Sequence, residues 1–218
     1  RGVTLSVTQP KTPSLNHSDR IRQLAETRQR ILSRPPQQAL AAILNHPQPA
    51  ALVHSFPEED LHFLIHDIGL GNARPLIALA TNRQWEYLLD MEGWKRDQLN
   101  YQQVTTWLQL LLQADPDRLI KWCLDEKLEF LELYLFRNIE LRIRASDQAP
   151  SDLGDGFFTD DDIYYVRFVD YPVTTPQEAT IKARRNEMLG QLLHRLSSYD
   201  HPRYQGLMME AAGVIPTE

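Results

Sequence analysis

Between residues 35 and 57 prolines recur at short intervals, at Pro35, Pro36, Pro47, Pro49 and Pro57. Proline lacks an amide hydrogen and keeps the residue before it out of helical angles, so each marks a boundary. Between the boundaries, apolar residues follow a helical period. Ile21, Leu24, Ile31 and Leu32 form a stripe that begins near Ser18 and breaks at Pro35-Pro36. QQALAAILNH reads as a second helix, stopped by Pro47 and Pro49. Ala51, Leu52, Val53 and Phe56 belong to a helix that closes before Pro57; Leu61, Leu64, Ile65 and Ile68 then fall at i, i+3, i+4 and i+7. Rods this short cannot bury their apolar faces alone. They must stack.

The stretch AALVHSFPEEDLHFLI therefore reads as a helical hairpin. Pro57 suits a first helical turn, and Glu58, Glu59 and Asp60 interact favourably there with the helix dipole. Gly69 and Gly71 end the second helix, since glycine readily takes left-handed angles. The hairpin recurs. RPLIALATNRQWEYLL and DRLIKWCLDEKLEFLE place Leu76 and Leu119 under Leu52, Ile77 and Ile120 under Val53, Trp85 and Leu128 under Leu61, and Leu88 and Leu131 under Leu64. The spacing is irregular, with an extra helix, QVTTWLQLLLQ, before the third copy. Repeated hairpins of this kind are the mark of an α-solenoid. Phe63, opposite the Leu61 stripe, predicts a unit packed on both faces.

After Arg144 the pattern changes. SDQAPSDLGDG is polar and glycine-bearing, and GFFTDDDIYYVRFVDYP reads as a small β-hairpin around a TDDD turn. Thr175-Pro176-Gln177-Glu178 is a capping box that opens a helix through Leu196, and RYQGLMMEAA forms a last helix ending at Gly213. The expected organisation is a flexible lead-in over residues 1–16, a helical-repeat domain over 17–145, and a β-hairpin with C-terminal helices over 146–218, packed on the same domain. Arg1 at the start and GVIPTE at the end suggest a piece of a longer protein.

Composition excludes several classes. The formal net charge is -6, from 23 basic and 29 acidic residues, whereas nucleic-acid binding needs a basic stripe. No apolar run reaches the ~20 residues that span a bilayer. The single cysteine, Cys123, sits in the apolar run LIKWCLDE and reads as a buried small hydrophobe in a reducing, cytoplasmic setting. Gly69-Leu70-Gly71 lacks the preceding strand and third glycine of a dinucleotide loop, and neither a phosphate-binding GxxxxGK[ST] nor a GxSxG elbow occurs.

Two groups of residues are candidate metal ligands. His62 and His66 lie one helical turn apart, a spacing that can present two imidazoles to one ion. No glutamate follows His62 as in the zinc-protease pattern, no third ligand is in view, and both residues project away from the apolar stripe; a solvated face is expected. Asp160 and Asp162 belong to an acidic turn, but the frame that a calcium loop requires fails when counted from Asp152. Trp85, Trp94, Trp107 and Trp122 recur on helical patterns and should mostly be core, any exposed one being a partner anchor. Arg184, Arg185 and Arg195 are expected on a solvated face.

HPQPAALVHSFPEEDLHFLIHDIG resembles the helical repeat of the cytosolic N-terminal domain of MgtE-type magnesium transporters, and flagellar motor-switch proteins use a similar unit. PEEDLHFLIHDIG, IALATNRQWEYLLDMEGW and GFFTDDDIYYVRF resemble segments of an uncharacterised bacterial family of unknown function. The transporter likeness implies a fold and no ligands. The expectation is a mainly α protein: a right-handed, superhelical α-solenoid of helical hairpins with one small β-hairpin. Its expected role is a non-enzymatic scaffold presenting a helical groove to another protein, without cofactors. The alternative is a regulatory domain responsive to magnesium or calcium.

Overall fold

The computed structural model describes residues 17–96 and 98–213; the expected lead-in, residues 1–16, lies outside the described residues. The proline boundaries appear as helix starts. α1 (His17–Leu32) is followed by α2 (Pro36–Leu44), α3 (Pro49–His54), α4 (Glu58–Ile68), α5 (Arg74–Leu79) and α6 (Asn82–Gly93). Pro36 and Pro49 occupy first-turn positions, where a missing amide hydrogen leaves no bond unmade. Pro57 stands one residue earlier than expected, at the N-cap, with Glu58, Glu59 and Asp60 filling the first turn of α4. Gly69 closes that helix at a φ of 88°, a value open to glycine and strained for other residues.

From α2 to α7 (Tyr101–Ala114) each helix packs on the next but one: α2 on α4, α4 on α6, α3 on α5, α5 on α7. α8 (Pro116–Glu126) and α9 (Leu128–Asn138) then extend the layer from α7. The long α10 (Pro176–Tyr199) returns across α7 and α8, and α11 (His201–Ala211) reaches back to α9. The apolar residues of these helices form one continuous cluster, from Ile31 to Met208. No helix among the described residues is long and apolar enough to cross a membrane.

The aligned columns of the three hairpins are core. Leu52, Leu76 and Leu119 are buried, as are Val53, Ile77 and Ile120, and Leu64, Leu88 and Leu131. The fourth column breaks: Leu61 and Trp85 are buried, but Leu128 is 41% exposed. Phe63 is 57% exposed, so the α3–α4 hairpin packs on one face, contrary to expectation.

The β structure differs from the expected hairpin. β4 (Tyr164–Phe168) pairs antiparallel with β3 (Ile139–Ile143), not with the segment before the aspartate turn, which contributes a single bridge from Phe158 to Val166. The reason is packing. Ile139 continues directly from α9 and is buried, which holds β3 against the core where β4 pairs with it. A second, two-residue pair joins β1 (Trp94–Lys95) to β2 (Gln98–Leu99) at the end of α6. The Thr175 capping box forms as expected: its hydroxyl accepts from the Glu178 amide, and the Glu178 carboxylate accepts from Thr175 N–H.

Candidate functional site

The break in the repeat columns at Leu128 opens a groove. Lys127, the one residue between α8 and α9, and Leu128 behind it face the C-terminal half of α6 across an open cleft of about 620 Å³. Leu89, Trp122, Leu128, Phe130 and Trp94 supply its apolar lining. Trp94, just past α6, is 47% exposed, while Trp85, Trp107 and Trp122 are buried. Trp94 is thus the exposed one among the four tryptophans. The indole N–H of Trp122, buried in the wall, has no hydrogen-bond partner among the described residues.

The rim is acidic: Glu86, Asp90, Asp125, Glu126 and Glu129 against the single Lys127. Lys127 pairs with Glu86, and Asp125 pairs with Lys121 and Arg203 at 2.8 and 2.6 Å. Asp90, Glu126 and Glu129 have no ion-pair partner among the described residues, although the Glu126 carboxylate accepts a hydrogen bond from Asn82 at 2.9 Å. Burial pushes Asp90 above the ordinary carboxylate range, opposed by nearby Lys127 and reinforced by Glu86. The groove thus combines apolar surface with unneutralised negative charge. Leu133 and Phe136, exposed on α9, carry apolar surface further along that helix.

The histidine pair is not a free solvated face. His62 and His66, a turn apart on α4, both meet Glu92 of α6, with His62 Nε2 and His66 Nε2 at 2.9 and 3.0 Å from the same carboxylate oxygen, Oε1. The two imidazole rings stand edge to face, centroids 4.6 Å apart, and Trp107 sits edge-on to His66. Thirty residues separate His62 from Glu92 in the chain, so only the packing of α4 on α6 reveals the third group.

The aspartates of the turn do not converge. Asp160 meets His194 of α10 at 3.2 Å, and Asp162, at a φ of 59°, pairs with Arg144 and accepts from the Tyr165 hydroxyl at 2.5 Å. Between them Asp161 accepts the backbone N–H groups of Ile163 and Tyr164. Each carboxylate shapes the turn or anchors it to a different neighbour, as aspartates in turns do.

Other expectations resolve at the residue level. Cys123 is fully buried and burial pushes its thiol up to about 12, well away from a reactive thiolate. Arg185, expected in solvent, is buried: its guanidinium donates to the Val169 carbonyl at 2.6 Å and lies 4.8 Å over the Tyr171 ring. It ties α10 to the segment after β4.

Compared with known proteins, the chain matches no curated sequence and no solved structure. One family model covers all the described residues but no assigned activity. The chain belongs to that family, a family of unknown function (DUF6178), matched over residues 16–218.

Proposed function

We propose that this protein is a non-enzymatic scaffold, a superhelical stack of helical hairpins whose acidic groove docks a basic, amphipathic segment of another protein. The observation that carries the reading is Leu128. Its counterparts Leu61 and Trp85 are covered within the chain, whereas Leu128 stays open beside exposed Trp94. An apolar helix face laid across this position would bury both side chains, at about 25 cal/mol per Å² of apolar surface covered.

The unpaired carboxylates choose the sign of the partner. Lys or Arg side chains flanking the apolar face would meet Asp90, Glu126 and Glu129 at the rim, steering encounter and setting orientation. A helix in a groove with apolar residues at i, i+3, i+4 and i+7 is the recognition mode that fits such a cleft.

Calorimetric titration tests the reading with two synthetic helical peptides of identical leucine pattern, one with lysine and one with glutamate on the polar positions. The lysine peptide should bind, more weakly as salt rises, and Leu128→Asp should reduce its affinity at least tenfold. Equal binding of both peptides, or of neither, would refute the assignment.

A further inference from the structure

We propose that His62, His66 and Glu92 form a binding site for a transition-metal ion of zinc-like chemistry, clamping α4 to α6. The donors are the two Nε2 atoms and the Glu92 carboxylate, and all lie within 4.8 Å of one another. Imidazoles at i and i+4 share one helix face, so the backbone of α4 already orients the pair. Glu92 arrives from the packed neighbour.

The distances suit an ion. Zinc held by bonds of about 2.0–2.1 Å in a tetrahedron sets its ligand atoms ~3.3 Å apart. The two nitrogens stand 2.9 and 3.0 Å from Glu92 Oε1, within a few tenths of an ångström of that spacing. In the metal-free arrangement each Nε2–H can donate to the carboxylate. On binding, each neutral imidazole carries its proton on Nδ1 instead, which frees the Nε2 lone pair; two N–H···O bonds are exchanged for two nitrogen–metal bonds and one oxygen–metal bond.

Donor type selects the metal class. Two imidazoles and one carboxylate suit zinc, nickel, copper or iron, whereas magnesium and calcium prefer all-oxygen sets. The side chains of His62 and Glu92 are 13% and 24% exposed, and that of His66 is 40% exposed. The site is therefore sheltered on the α6 side and open at His66, where an ion can enter and a water can complete the coordination. Tyr87, Phe63 and Trp107 pack edge-on around the two rings and restrict their rotation. This inference is independent of the docking groove, although Glu92 lies on the helix that lines it.

The test is titration of the tag-free, metal-stripped chain with Zn²⁺ and with Co²⁺, whose visible absorption reports nitrogen coordination. One ion should bind per chain, raise Tm, and resist competition by millimolar Mg²⁺. His66→Ala, at an exposed position that tolerates truncation, and Glu92→Gln, which keeps the side-chain volume, should each weaken Zn²⁺ by at least about a hundredfold, since a direct ligand costs no less than the ~10–100-fold of an outer-sphere partner. His54→Ala, outside the triad, should leave binding unchanged. Circular dichroism of the metal-free variants separates a lost ligand from a lost fold. If the wild type shows no saturable one-to-one binding, or if the folded His66→Ala and Glu92→Gln proteins bind as the wild type does, the triad is a hydrogen-bonded contact only and the proposal is wrong.

Discussion

At Gln84 one side-chain amide closes two helix ends at once. Its Oε1 accepts the Thr81 N–H at 2.9 Å, completing the capping box of α6, while its Nε2 donates to the Val53 and Phe56 carbonyls, at 2.9 and 3.0 Å, where α3 ends. The residue is 2% exposed, so no water stands ready to replace it. Gln84→Leu keeps the bulk and removes all three bonds, leaving the Phe56 carbonyl and the Thr81 N–H without their side-chain partner, while the Val53 carbonyl keeps the Phe56 N–H. Chemical denaturation should show a loss of about 1–3 kcal/mol, the cost of a buried unsatisfied group; a loss well below about 1 kcal/mol would mean that the Phe56 carbonyl finds another donor. Gln84 and Glu92 share a lesson about legibility. The helices they sit on were readable from periodicity, but their partners at other helices lie 26 to 31 residues away in sequence. Which polar side chain meets which is decided by the packing of one helix on another, and no local pattern records it. The aspartate turn is the opposite case: its contacts are mostly with its own backbone, and its identity as a turn was legible from composition.

Among elements, the helices followed their boundary residues closely and the strands did not. Proline, capping boxes and apolar stripes act within a few residues, so α2, α4 and α10 could be read directly. Ile139–Ile143 follows the apolar helix α9 without a breaker, and only its pairing with Tyr164–Phe168 makes it a strand. The contact between α9 and α11 carries a titratable signature. Burial, reinforced by the Glu210 carboxyl beside it, pushes Glu132 up to about 7. A carboxyl with a raised folded pKa favours the native state while protonated; that contribution is complete below the unfolded value near 4.5 and is lost as pH rises through about 7. Glu132→Gln, which mimics the protonated form, should match the wild type near pH 4 and melt several degrees higher near pH 8. Thermal melts at the two pH values check the sign. A variant less stable than the wild type near pH 8 would contradict it.

Over the whole molecule, the stacking of α2 to α7 and the return of α10 produce one core and leave the groove beside Leu128 open. Its charge is biased the same way: the formal net charge is -6, and three carboxylates of the groove, Asp90, Glu126 and Glu129, have no ion-pair partner among the described residues. Sequence reading anticipated the helical architecture and mostly core tryptophans, but not that Trp94 is the exposed one, because all four recur on helical patterns. Burial alone distinguishes them. The assignment of the groove is tested most directly by following the four indole N–H resonances during titration with the lysine-patterned helical peptide. Those of Trp94 and Trp122, in the groove, should shift together and saturate, while those of Trp85 and Trp107 stay in place. Movement of Trp85 and Trp107 with Trp94 unchanged, or no movement at all, would contradict docking at this site.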